Sequence, residues 1–158
     1  MKTLIVDDDE IAVKVLATQL RKQGWGPATG CANPHEALAL LREQGSEIGL
    51  LFTDLQMPSM DGVEFIRHLS RVGYEGAVVF VSSEDERVLH AARRLAEAHE
   101  IRAVGALMNP VASDALAQVL RASRAAMSVV RTVRPWRASA EALRSAIDGG
   151  ELLNYYQP

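Results

Sequence analysis

Four stretches of this chain place oxygen- or amide-bearing side chains where a strand should end. They are Asp7-Asp8-Asp9-Glu10, the single Asp54 within Leu51-Phe52-Thr53-Asp54, the pair Ser82-Ser83, and Asn109-Pro110. Each follows a short apolar run of the kind that forms a strand. Three carboxylates gathered in one crevice repel one another, and each then tends to hold a proton. A hard divalent cation relieves that conflict. Mg²⁺ takes carboxylate, carbonyl and water oxygens and keeps positions open for phosphate. A carboxylate beside such an ion can attack phosphorus and become an aspartyl phosphate, and a hydroxyl such as that of Ser82 could donate to the new group. Taken alone, Asp7-Asp8-Asp9-Glu10 has a simpler use as acids that favour the N-terminal end of a helix dipole. Acids and a hydroxyl at matching strand ends favour the metal and phosphorus chemistry.

The elements that must position these residues alternate. Thr3-Leu4-Ile5-Val6 reads as a strand, and Ile11, Val15, Leu16 and Leu20 then recur at helical spacing until Gly24. Trp25 to Gly30 is a weak second strand, interrupted by Gly26 and Pro27, with Cys31 in a loop after it. Asn33-Pro34-His35-Glu36 starts a helix with a cap, a proline at the first position and an acid able to close a capping box. Ile48 to Thr53 is a third strand ending at Asp54, and a tight Pro/Gly loop leads to a second cap at Asp61-Gly62-Val63-Glu64. Ala77 to Val81 is the clearest buried strand, and Ser83 caps a long helix to about His99. Ile101 to Leu107 holds a fifth strand, before a helix over about Ser113 to Met127. Continuous apolar strands separated by amphipathic helices imply an α/β fold, a doubly wound parallel sheet covered on both faces. Right-handed crossovers put every strand C-terminus on one edge, where such folds bind ligands. Asp7, Asp8, Asp54, Ser82 and Asn109 should therefore meet.

Bulk properties agree with a domain of ordinary size plus an appendage. The 158 residues are 48% hydrophobic and 23% charged with net charge −3, so nothing global favours nucleic acid or an anionic membrane. No apolar run reaches the length of a membrane span, and Met1-Lys2 leads directly into a strand. One cysteine, Cys31, excludes an internal disulfide and gives no metal-ligand spacing, which makes a reducing cytoplasm the default compartment.

Taken together, Val6-Asp7-Asp8, Asp54 followed by Met57-Pro58-Ser59-Met60-Asp61-Gly62, Val81-Ser82-Ser83 and Asn109-Pro110 resemble the receiver domain of two-component response regulators. The resemblance covers residues 1–127. It implies a flavodoxin-like sheet of five parallel strands in the order 2-1-3-4-5. It also implies that Asp54 accepts phosphate from the phosphohistidine of a sensor histidine kinase or phosphotransfer protein. Asp8, Asp54 and the backbone carbonyl of Gln56 would ligate Mg²⁺, with Asp7 acting through water. Ser82 would be the switch hydroxyl, Ser83 its neighbour at the phosphate, and Pro110 would follow a cis peptide bond. Pairing into a homodimer through the fourth helix and fifth strand is common in the family.

Three departures stand out. Receivers usually carry lysine where this chain has Asn109, which can donate a hydrogen bond but brings no charge, a loss on the order of 1–2 kcal/mol of phosphoryl stabilisation. The usual switch aromatic corresponds to Ala106. Asn109 follows Ser82 by 27 positions, more than the family leads one to expect, so the fourth helix should be extended or displaced.

Beyond Met127 the composition changes. Arg121, Arg124, Arg131, Arg134 and Arg137 form an acid-free run, read as a helix end continuing into a basic linker over 128–138 rather than as a nucleic-acid arm. Ser139 to Gly150 reads as a capped helix and Glu151 to Pro158 as a strand. Residues 139–158, above all Tyr155-Tyr156-Gln157-Pro158, resemble the opening of an EAL domain, the barrel that hydrolyses cyclic di-GMP. The resemblance implies a receiver regulating a phosphodiesterase in cis, cut just inside its output domain. This chain would itself be no enzyme, because the EAL catalytic acids lie downstream; Glu141-Ala142-Leu143 is a coincidence of letters. The competing reading is a degenerate receiver that dimerises or docks without phosphate. A haloacid-type phosphatase fits less well: it would place its aspartate nucleophile in a pair two residues apart right after the first strand and would need a substrate cap, and neither fits Asp54.

Overall fold

The apolar runs form five parallel strands in the computed structural model of the chain, which describes residues 2–83 and 86–130. These strands are β1 (Lys2–Val6), β2 (Ala28–Cys31), β3 (Ile48–Asp54), β4 (Ala77–Ser82) and β5 (Arg102–Met108). They pair in the order β2-β1-β3-β4-β5, so the expected doubly wound order 2-1-3-4-5 is the one observed. Helices α1 (Glu10–Lys22), α2 (Pro34–Gln44), α3 (Gly62–Arg71), α4 (Glu86–Ala98) and α5 (Ser113–Val130) connect the strands and follow the last one.

Alternation along the central strands divides the core in two. Ile5, Leu50, Phe52, Val79 and Val81 face α1 and α5, meeting Leu16, Leu20, Leu116 and Leu120. Leu4, Val6, Leu51, Val78 and Phe80 face the other three helices, meeting Leu38, Leu41, Phe65, Ile66, Leu69, Leu89 and Ala96. Burial of β3 and β4 on both faces explains their nearly unbroken apolar sequence.

Three helices stop in the same way. Gly24 and Gly73 take left-handed backbone (φ +67° each), and the residues that follow return hydrogen bonds to the helix: Trp25 N–H to Leu20 O at 3.0 Å, Tyr74 N–H to Leu69 O at 3.1 Å. Glu100 (φ 59°) repeats this after α4, with Ile101 N–H on Ala96 O at 2.8 Å. This is the Schellman arrangement, in which a buried residue after the left-handed one seals the end. Trp25, Tyr74 and Ile101 are all buried.

Several boundaries differ from the sequence reading. Trp25 is not in the second strand: it turns inward, and its Nε1 donates to Thr3 Oγ1 at 3.0 Å. Strand β2 starts at Ala28 and includes Cys31, which is buried rather than in a loop. Helix α4 spans Glu86–Ala98, 13 residues, the same length as α1; residues 84–85, through which Ser83 was expected to cap it, lie outside the described residues. Helix α5 continues to Val130. Residues 131–158, with most of the proposed linker and all of the EAL-like stretch, lie outside the described residues. Among the described residues, no helix is long and apolar enough to cross a membrane.

Candidate functional site

The acid run after β1 is shared between two tasks. Asp7 is buried at 8% exposure, and its backbone N–H donates to Cys31 O at 3.2 Å, which extends the pairing of β1 with β2. Asp7 Oδ1 accepts the N–H of Asp9 at 2.8 Å, closing a tight Asx turn. Asp9 in turn caps α1, its Oδ1 accepting from Ile11 N–H at 2.8 Å. Glu10 pairs with Lys14 one helical turn on, at 3.1 Å. Asp9 and Glu10 thus serve the helix, while Asp7 and Asp8 are left for the sheet edge.

Asp54 ends β3 opposite Val81 of β4 and is half-buried. The N–H of Leu55 donates to its Oδ1 at 2.8 Å, which aims the carboxylate along the edge. The segment after Leu55 was expected to be a simple loop. It is instead a small hairpin, with Gln56–Met57 antiparallel to Met60–Asp61, and Met57 and Met60 are buried. Asp61 caps α3 by accepting from Glu64 N–H at 2.7 Å. Gly62 N–H donates to Leu55 O at 3.0 Å, and a Cβ on Gly62 would stand 2.6 Å from Leu55 Cδ2. A side chain there would push against Leu55, so Gly62 lets α3 start directly beside the acidic edge.

Carboxylate oxygens of Asp7, Asp8 and Asp54 all lie within 4.8 Å of one another. The electrostatic cost is visible. Burial pushes Asp54 up to about 6, the Leu55 and Gln56 N–H groups oppose it, and the charges of Asp7 and Asp8 add to it. Burial likewise raises Asp7, opposed by the Asp9 N–H and reinforced by Asp8 and Asp9. Ligands sharing one Mg²⁺ stand roughly 3–4 Å apart. The cluster therefore fits such an ion if the most distant carboxylate reaches it through one water. The donor set is all oxygen, as a hard cation requires.

The remaining candidates are distributed around this cluster. Ser82 ends β4 fully buried, one residue beyond the partner of Asp54, and Ser83 is exposed next to it. The backbone N–H of Asn109 donates to Ser82 O at 2.8 Å, which ties the β5 end to the β4 end. Asn109 and Asp7 line one narrow crevice of about 60 Å³. The Asn109–Pro110 peptide is cis. Gln56 lies in the hairpin with its side chain exposed. Ala106 is set apart from the acids, partly buried on β5. There it lines an open groove of about 520 Å³ with Leu89, His90, Arg93 and Met108. Two features escaped the sequence reading: the backbone N–H groups that hold Asp54, and Gln19 of α1, which also lines the Asp7 crevice. No residue type marks a backbone donor, and a glutamine within a helix looks like any solvated position.

A three-layer α/β fold, with helices on both faces of a five-stranded parallel sheet, carries an acidic triad at the C-terminal edge of that sheet. The response regulator receiver domain matches residues 3–121, and the chain belongs to that family. Over its whole length it is 29% identical to the cyclic di-GMP phosphodiesterase RocR of Pseudomonas aeruginosa. It is 36% identical over 123 residues to the positive alginate biosynthesis regulatory protein of the same species. The chain spans only 41% and 46% of the lengths of these two relatives. Among solved structures, it superposes with TM-score 0.65 and 24% identity on the signal receiver domain of a modulated diguanylate cyclase from Desulfovibrio desulfuricans, covering 81% of this chain and 96% of that one. A response regulator from Colwellia psychrerythraea gives TM-score 0.64 at 27% identity, covering 80% and 97%.

Proposed function

We propose that this chain accepts a phosphoryl group on Asp54 and thereby regulates an output domain. The observation that carries this reading is the convergence of Asp7, Asp8 and Asp54 within 4.8 Å at the tips of β1 and β3. Mg²⁺ would be held by Asp8, Asp54 and the Gln56 carbonyl, with Asp7 acting through water. When bound, it would offset the crowded negative charge and draw phosphate oxygens in. The donor is a phosphohistidine on a sensor histidine kinase or phosphotransfer protein. An Asp54 carboxylate oxygen bonds to phosphorus as the P–N bond breaks, and the imidazole leaves with a proton. Ser82 and Ser83, at the tip of β4, would meet the product, and Asn109, at the tip of β5, would close its far side.

The output we assign is hydrolysis of cyclic di-GMP by a domain following in the same polypeptide. Its support is the similarity to RocR, which runs through residues 131–158 as well as the receiver. Incubation with Mg²⁺ and acetyl phosphate should add about 80 Da, the mass of one phosphoryl group, and Asp54→Ala should abolish the gain. If neither that adduct nor Mg²⁺-dependent beryllofluoride binding is seen, the proposal fails.

A second reading, docking or dimerisation without phosphate, is favoured by Asn109 and Ala106, which remove the usual cation and aromatic switch. Equal phosphodiesterase activity of the longer protein with Asp54 and with Asp54→Asn would select it.

A further inference from the structure

Asn109, which the proposed function sets at the phosphate, sits on a segment that is held at every second residue. At its start, Asn109 N–H donates to Ser82 O at 2.8 Å. Two residues on, Val111 O accepts from Gln19 Nε2 at 3.0 Å, across a sequence separation of 92. Two further on, Ser113 meets Gln23 Nε2, through Oγ at 3.1 Å and more weakly through its carbonyl at 3.4 Å. Gln19 projects from the last turns of α1 and Gln23 caps its C-terminal end; Asp9 caps the other end, directly after the acidic turn.

Gln19 is unusual among these contacts. Its orientation is fixed, because only the amide nitrogen can donate to a carbonyl. Its Oε1 is shut off from solvent and has no hydrogen-bond partner. The bond to Val111 O is thus the contact that holds the side chain, and leucine here would remove it. The side chain also lines the same crevice as Asp7, Asn109 and Val111. A side chain that lines the crevice of Asp7 and is bonded to the loop that carries Asn109 calls for a functional account.

Side-chain reach supplies one. Lysine spans four flexible methylenes, and can correct for a displaced backbone by changing rotamer. Asparagine has one methylene and two torsions, so its amide goes where the backbone puts it. A receiver with asparagine at this position therefore depends on a fixed loop in a way that one with lysine does not.

We infer that Gln19 is a positioning residue for Asn109: it anchors Val111 so that the short amide meets the phosphoryl group on Asp54. This rests on the phosphoacceptor reading above. The experiment is a double-mutant cycle on the whole chain, with beryllofluoride and Mg²⁺ as the probe and binding followed by ¹⁹F NMR and calorimetry. Gln19→Leu should weaken binding about three- to tenfold, a loss of roughly 0.7–1.4 kcal/mol. Asn109→Ala should weaken it at least as much. In the Asn109→Ala background, Gln19→Leu should change affinity by less than about twofold, because residues acting through one contact are not additive. A merely structural role would instead give additive losses. Gln23→Ala, at a partly exposed helix end where misfolding is not expected, should show a smaller effect with the same dependence on Asn109. Additive losses, or an unchanged affinity in Gln19→Leu, overturn the inference while the binding of unmodified protein keeps the phosphoacceptor reading intact. Failure of the unmodified protein to bind the probe overturns both.

Discussion

Asp54 is held in a state that opposes its own ionisation. Burial and two neighbouring carboxylates lift it from 3.8 to about 6. Because the native state binds this proton more tightly than the unfolded chain, its stabilising contribution is complete below about pH 4 and is lost as pH rises through about 6. Metal-free protein should accordingly gain stability on acidification from pH 7.5 to 5 in chelator. Asp54→Asn should be more stable than the parent at pH 7.5, by on the order of 1 kcal/mol after allowing for screening at a half-exposed site, and should lose the pH response in this window. Urea titrations at the two pH values measure both effects. Asn109 presents the opposite opportunity. Asn109→Lys would bring a cation to the crevice that residue 109 shares with Asp7 and should tighten beryllofluoride binding by about tenfold, since charge-assisted hydrogen bonds are roughly twice as strong as neutral ones. A weaker or unchanged affinity would mean that residue 109 does not reach the phosphoryl site.

At the scale of elements, what the sequence made legible follows its physical signals. Strands β3 and β4, apolar throughout, and the capped starts of α2 and α3 were readable because their signals lie in adjacent residues: Asn33 accepts from His35 N–H and Asp61 from Glu64 N–H. The acidic edge was readable because topology puts strand tips together. The hairpin at Gln56–Asp61 was not, since two-residue strands carry no periodicity. Nor was the acid run's division of labour, which depends on which oxygen meets which N–H. The sequence places the end of α4 at about His99, one residue past Ala98, although Glu100 there occupies the left-handed position that glycine holds after α1 and α3. A side chain there costs about 1 kcal/mol that glycine avoids. Glu100→Gly should therefore stabilise the domain by about 0.5–1 kcal/mol despite glycine's greater freedom in the unfolded chain, seen as a higher urea midpoint at unchanged slope. Destabilisation would show that the Glu100 side chain makes a contact worth more than its strain.

For the molecule as a whole, the site and the fold are thermodynamically linked. A sheet buried on both faces supplies the stability that the crowded acids draw on. Anything that binds the native cluster and not the unfolded chain returns that stability, by RT ln(1 + [L]/Kd), or about 1.4 kcal/mol at ten times Kd. Mg²⁺ should thus raise the unfolding free energy of the parent protein at pH 7.5. Asp8→Ala should blunt the gain by removing a proposed ligand. Asp54→Asn, more stable without metal, should respond least, so the two unfolding curves should converge or cross as Mg²⁺ increases. Protons compete with the metal for Asp54, so the response should shrink as pH falls through about 6. Denaturant titrations over a Mg²⁺ series at pH 7.5 and pH 5 test the linkage directly. A Mg²⁺ effect of equal size in the parent, Asp8→Ala and Asp54→Asn would reflect general ionic screening, and would detach the acidic edge from metal binding.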